Sequence, residues 1–331
     1  VAWIVSVRSL RARPDVIHVH NVPDFLIFTC IVPKLLGTKV ILDIHDILPE
    51  FYCQKFGISM KHPLARALRW IEYLSTHFAD HVIVANDIWR EKIIKRARIS
   101  EEHCTTILNY PDEVFFQQGR SQTSERDEFR IIYPGTISHL HGTDVAIRAM
   151  SEVRKSLPHA RLDLYSSRTE GSPYFDAINA LVDELGVRNH VVFHPAVPHE
   201  QMSELLHEAD VGIVPKRKGV FASEAFSTKF MEFMAAGVPV IASRTTIDEY
   251  YFDDTILCFF EPDNPEDLAR CLIELHSDSK QRERMASRAC DFMADKKWEQ
   301  KKSIYYAIVS NLLGFPVRDF VPQRESAGVK P

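Results

Sequence analysis

The feature that most constrains this chain is an alternation. Short runs rich in β-branched residues are separated, along most of the sequence, by stretches with helical periodicity. That pattern belongs to a parallel α/β sheet, because parallel strands need a crossover between them and a helix is the usual one. In the first part, strands are expected at residues 16–19, 39–44, 82–85 and 105–108, with helices at about 24–36, 62–78 and 87–98. The polar run from Gln117 to Glu128 has no large apolar residue and reads as a solvated linker. The alternation restarts at Arg130 and continues with strands at 162–165, 191–194, 211–214, 238–242 and 255–259. The helices between them fall at about 143–156, 174–186, 199–208, 228–236, 265–277 and 279–293. The pattern predicts two Rossmann-like, doubly wound domains, over residues 1–116 and 129–296. A closing helix at 297–314 and a fraying tail at 315–331 complete the expected organisation.

At 331 residues the chain is long enough for two cores. It carries a net charge of −5, which argues against nucleic acid as a partner. No run of about 18 apolar residues suggests a membrane span. The six cysteines stand singly, without a CxxC pair, as buried thiols in a reducing cytoplasm would. Chemistry of several common kinds is absent: there is no GxGxxG, Walker, HExxH or GxSxG motif. His139 and His141 have metal-like spacing but lack a nearby Cys or carboxylate, and no metal ligand set is expected.

The informative segment runs from Ser223 to Ser243. A helix should start near Thr228 and stop at Gly237, before a strand. Two residues break local rules. Lys229 falls in the first helical turn, where the helix dipole disfavours a cation. Glu232 lies among Phe230, Met231, Phe233 and Met234, where an unpaired carboxylate is costly to bury. A nucleotide diphosphate-sugar would resolve both conflicts. Free amides around 226–229 (Phe226, Ser227, Thr228 and Lys229), together with Ala225, would face the diphosphate, and Lys229 would add a full charge. Glu232 would accept the ribose hydroxyls, and Glu224 would hold a hydroxyl of the sugar. The bland alternative is a helix with a surface lysine and a snorkelling glutamate.

These residues resemble a known family. Glu224 and Glu232, seven residues between them, followed by Met-Ala-Ala-Gly-Val-Pro-Val-Ile-Ala, are similar to the retaining glycosyltransferases of family 4, which have the GT-B fold. The likeness extends to Pro14-Asp15-Val16-Ile17-His18-Val19-His20, Ile41-Leu42-Asp43-Ile44-His45-Asp46, Tyr133-Pro134-Gly135, Ala209 to Pro215, Pro262 to Ala269, and Trp298. It implies two facing domains with a cleft between them, and a phosphate turn at Gly135 and Thr136. It also implies transfer with retention from a nucleotide-sugar donor to a saccharide or lipid-linked acceptor, without metal or other cofactor, in surface polysaccharide or glycolipid synthesis. Thr136 and His141 stand where many members carry an Arg and a Lys on the diphosphate, so Lys229 becomes the expected charge. Lys216, Arg217 and Lys218 form a second cluster that reads equally as a solvated turn.

His45, at a strand end, is expected at the reaction centre with Lys229 and Glu224, the alternative being a structural histidine. His18 and His20 are expected to split, one facing the cleft and the other packing. The basic segment from Trp89 to Arg98 suggests a peripheral membrane contact, equally a solvated face. Val1 to Val7 reads as the end of a helix, and the resemblance places a further strand and a glycine-rich loop ahead of it. The expected enzyme is cytoplasmic. A nucleotide-sugar epimerase of the same fold and a non-catalytic nucleotide-sugar-binding subunit are the rival readings.

Overall fold

The computed structural model describes residues 7–8, 10–116, 128–166 and 172–314. Most of the expected linker, the tail from 315 and the start of the chain lie outside these residues. The chain divides into two compact units, one made of residues up to Leu108 together with those from Glu299 onward, the other running from Asn109 to Trp298.

The first unit opens with β1 (Val16–His20), a 3-10 turn at Asp24–Cys30, α1 (Ile31–Leu35), β2 (Lys39–Ile44) and α2 (Leu48–Phe56). It continues through α3 (Pro63–Phe78), β3 (His81–Val84), α4 (Asp87–Ala97) and β4 (Cys104–Thr106). The strands form a parallel sheet in the order β1-β2-β3-β4. The sequence reading missed α2, because Pro49 looks like a breaker. It occupies the first turn, where no intrahelical N–H is lost.

Helix α4 turns its apolar side inward. Trp89, Ile93 and Ala97 are buried in the unit. Its cations are mostly spent inside: Arg90 donates to the Cys104 and Glu101 carbonyls, Lys92 sits 3.4 Å from Glu50, and Arg96 bridges Glu50 and Glu72. An amphipathic stripe next to a sheet covers the sheet first.

The second unit contains β5 (Phe129–Pro134), α5 (Thr143–Ser156), β6 (Ala160–Ser166), α6 (Pro173–Glu184), β7 (Val191–Pro195), α7 (His199–His207) and β8 (Val211–Val214). Then follow α8 (Thr228–Ala235), β9 (Val240–Ser243), α9 (Thr246–Tyr251), β10 (Leu257–Phe260), α10 (Pro265–Ser277) and α11 (Ser279–Met293). Its six strands are parallel, in the order β10-β9-β8-β5-β6-β7. Renumbered from β5, that is 6-5-4-1-2-3, the doubly wound order of a Rossmann domain. The order reverses between β5 and β8, which pair only at Ile131–Val211 and Ile132–Gly212 although both strands run on. Ligands bind outside such switch points at the strands' carboxyl ends. Gly212 is required there: a Cβ on it would lie 2.5 Å from the Phe233 ring of α8.

The last helix, α12 (Trp298–Leu313), returns to the first unit, where Ile308 and Val309 pack on Ile41 and Ile83 with Val16 beside them. The pleat then dictates what else this face carries. Val16, His18 and His20 alternate along β1, and their partners across the ladder are Lys39, Ile41 and Asp43. Side chains two apart share a face. The apolar half of that face is covered by α12, and the end beyond it is polar.

Candidate functional site

Each unit has polar residues at the carboxyl ends of its strands, and each set is built locally. In the second unit, β5 delivers Gly135, whose N–H donates to the Tyr165 carbonyl at 2.8 Å. Lys229, from the first turn of α8, reaches across this glycine: a Cβ on Gly135 would lie 2.4 Å from Lys229 Cε. The Lys229 ammonium rests 5.5 Å from the centre of the Tyr133 ring, and the Tyr133 hydroxyl donates to the Thr136 carbonyl. Burial pushes the Lys229 ammonium below its usual range, against the pull of Glu232, and Lys216 adds repulsion. Burial pushes the Glu232 carboxyl up, opposed by Lys229 and His199. Among the described residues, neither Lys229 nor Glu232 makes an ion pair or a side-chain hydrogen bond. His141 is pushed down by burial and by Lys229, and its ring faces the Ser138 hydroxyl at 2.8 Å.

The loop before α8 narrows the expected amide cradle. Glu224 and Ala225 both give their N–H to the Phe221 carbonyl, so Ala225 has none left for a ligand. Among the described residues, nothing accepts from the N–H groups of Phe226, Ser227, Thr228 and Lys229. Phe226 turns its ring into a cluster with Tyr251, Phe252 and Phe230. Glu224 is half-buried beside them in the chain.

In the Lys216–Lys218 cluster the first two cations are committed to carboxylates, and Lys218 is exposed. Lys216 is buried, pairs with Asp248 at 2.7 Å and donates to the Ala225 carbonyl at 3.1 Å. Arg217 bridges Asp144 and Asp263 at 2.5 and 2.9 Å, and the Lys218 amide donates to Asp263. These bonds fasten the loop. Gly142 closes it from the other side: its φ is +63°, and a Cβ there would meet the Pro215 carbonyl oxygen at 1.9 Å.

In the first unit, β1 and β2 end in a histidine cluster around Asp43. His18 Nε2, His20 Nδ1 and His45 Nε2 lie 3.0, 3.1 and 3.2 Å from Asp43 Oδ2. His18 and His20 rise on one face with their rings stacked at 4.3 Å, and they differ there in cover: His18 packs against Tyr305 while His20 is exposed. His45 Nε2 also lies 2.9 Å from His20 Nδ1. Burial pushes Asp43 up, yet the hydrogen bonds with His18 and His45 win and hold its carboxyl well below the usual range. The Asp43 hydrogen bond raises His45 above its usual value, against burial. Burial and the His18 charge lower His20.

Sequence reasoning missed Asn21. This buried amide accepts from the His45 N–H at 2.8 Å, and donates to Asp24 Oδ1 at 2.8 Å and to the Asp46 carbonyl at 2.7 Å. It fixes the turn that carries His45. Tyr305 of α12, also missed, meets His18 Nδ1 at 3.1 Å. The signal was present in the sequence as His-x-His-Asn on one strand and Asp-x-His on its neighbour.

Residues 115–291, more than half the chain, match the family of glycosyl transferases group 1. The chain belongs to that family. Residues 1–109 match the glycosyl transferase 4-like domain. An uncharacterized glycosyltransferase of Methanocaldococcus jannaschii is 26% identical over 76% of this chain and 65% of its own length. A D-inositol 3-phosphate glycosyltransferase of Paenarthrobacter aurescens is 26% identical over 60% of this chain and 49% of its own. The chain thus spans less than two thirds of the curated relatives it matches. Among solved structures, a glycosyltransferase from Rickettsia africae superposes with a TM-score of 0.75 at 12% identity, over 94% of this chain and 80% of that one. An Anabaena protein in complex with UDP-glucose gives 0.68 at 16%, over 96% and 79%. These likenesses establish the fold of this family member as GT-B, with two Rossmann-like units.

Proposed function

We propose that this family member is a retaining glycosyltransferase of the family 4 type. It moves a sugar from a nucleotide diphosphate donor to a saccharide or lipid-linked acceptor, in surface polysaccharide or glycolipid synthesis. One observation carries the reading. A lysine and a glutamate, both shifted by burial and neither paired among the described residues, stand at a Rossmann switch point beside open amides. The two half-buried charges attract each other but make no hydrogen bond, and a ligand that supplies both an anion and hydroxyls would complete them.

The roles follow from chemistry. Lys229 and the amides of residues 226–229 take the diphosphate, whose charge grows as the glycosidic bond breaks. Glu232 takes the ribose, Glu224 the sugar, and Gly135 leaves the room Lys229 needs. His45 positions the sugar at the oxocarbenium-like centre. Lys229 supplies the positive charge for the departing diphosphate within the protein itself. Support comes from the family, from the relatives named as glycosyltransferases, and from the UDP-glucose held by the Anabaena neighbour.

A panel of nucleotide-sugars read by thermal shift tests this. One donor should raise Tm in proportion to RT ln(1 + [L]/Kd), and nucleotide should be released only when acceptor is present. A Tm that no donor moves sinks the reading. Release of an isomerised donor without acceptor favours the epimerase, and binding with no turnover favours the non-catalytic subunit.

A lipid-linked acceptor would be met at the membrane face of the cytoplasm, through a peripheral contact of the first unit. A surface suited to it runs along α3 and takes in Arg98, at the end of the basic segment. Arg66, Arg69 and the adjoining Arg98 make no ion pair among the described residues, and they ring Trp70, which is 64% exposed. An exposed tryptophan among arginines is the pattern of an interfacial helix. Flotation should show binding to anionic vesicles that fades with salt and is lost in Trp70→Ala/Arg69→Ala. Equal binding to neutral vesicles would sink it.

A further inference from the structure

A lysine drawn in from water needs something to hold its charge, and two lysines of the second unit meet that need differently. Lys216 pairs with Asp248 at 2.7 Å and donates to the Ala225 carbonyl at 3.1 Å, with the Phe230 ring 5.7 Å away. The half-buried Lys229 makes neither kind of bond among the described residues. Its ammonium lies over the face of the Tyr133 ring, 5.5 Å from the centre. Of the charged groups around it, Glu232 attracts it, while Lys216 and a protonated His141 repel it.

Tyr133 holds its ring still. The residue stands on β5 in the core of the unit, 2% exposed. Its hydroxyl donates to the Thr136 carbonyl at 3.1 Å, so the turn after Gly135 fixes the far end of the ring. A Cβ added to Gly135 would lie 2.4 Å from Lys229 Cε, 2.9 Å from Lys229 Nζ and 3.2 Å from the Tyr133 hydroxyl oxygen. The three residues meet at one point, and the glycine leaves the gap through which the lysine runs. The face of an aromatic ring is the negative side of its quadrupole, and its attraction for a cation grows as water is excluded.

We infer that Tyr133 is a positioning residue of the donor site: its ring face keeps the Lys229 ammonium charged and beside Gly135. Loss of water drives a lysine toward its neutral form, which offers a diphosphate no charge. The ring works against that drift, and the hydroxyl fixes the ring. What the charge serves rests on the donor-site reading; the contact itself does not.

The test grades the ring while keeping its shape. Phenylalanine, and phenylalanines with one, two and three ring fluorines, replace Tyr133 in the full chain. Each fluorine draws electron density from the ring face and barely changes its size. Lysines are isotope-labelled at Cε for NMR titration, and the Lys229 signal is the one missing from Lys229→Arg. Its midpoint should fall with each fluorine, by roughly one pH unit across the series. The exposed Lys155 should not move. The basic limb of the kcat profile should shift down in the same order. A Lys229 midpoint indifferent to fluorination overturns the contact, and a graded midpoint that kcat does not follow overturns the positioning role. Failure of every donor to bind would sink the donor-site reading, and the midpoints would still decide whether the ring holds the ammonium.

Discussion

Replacing Lys229 with alanine should lower kcat by about 10²–10³, more than it weakens donor affinity. Lys229 lies across Gly135 and within electrostatic reach of Glu232 and Lys216. Lys216, its nearest competitor for the role, is committed to Asp248 and the Ala225 carbonyl. Steady-state kinetics on the variant decide the matter. An unaltered kcat would remove Lys229 from the leaving-group role and leave the helix terminus to do the work.

Glu232→Ala should abolish saturable binding of a nucleoside diphosphate while the fold persists. Each hydrogen bond from a ribose hydroxyl to a carboxylate contributes on the order of 1.5–3 kcal/mol, and two are lost together. That is roughly two to four powers of ten in affinity, readable by calorimetry. The α8 helix should survive, since its buried anchors are Phe230, Met231, Phe233 and Met234 rather than the glutamate. Affinity equal to the wild type would mean that the ribose lies elsewhere and that Glu232 is a snorkelling side chain.

The strands and helices were legible because their period is written in the apolar residues. The expected helices at 143–156, 265–277 and 279–293 and the strand at 211–214 coincide with α5, α10, α11 and β8. What failed was of another kind. Pro49 hid α2, since a proline reads as a breaker until its position within the helix is known. The Lys216–Asp248 pair joins residues 32 apart, and no local pattern announces such a partner. Lys229 and Glu232 were legible for the opposite reason: a charge that violates its local surroundings stands out in sequence. Which of His18 and His20 packs was not legible, because the cover comes from Tyr305, far along the chain. The Asn21 brace on His45 needed both strand ends in hand, because its bonds cross from one strand to the next.

The return of α12 to the first unit also orders events during synthesis. Chains usually fold their leading domain first as they leave the ribosome. Here the row Val16, Ile41 and Ile83 waits for Ile308 and Val309, which are translated only after the whole of the second unit. The second unit is continuous in sequence and can close on its own strands as it emerges. The first unit, though begun earlier, is finished last, and it spends that interval with an apolar sheet face open to chaperones.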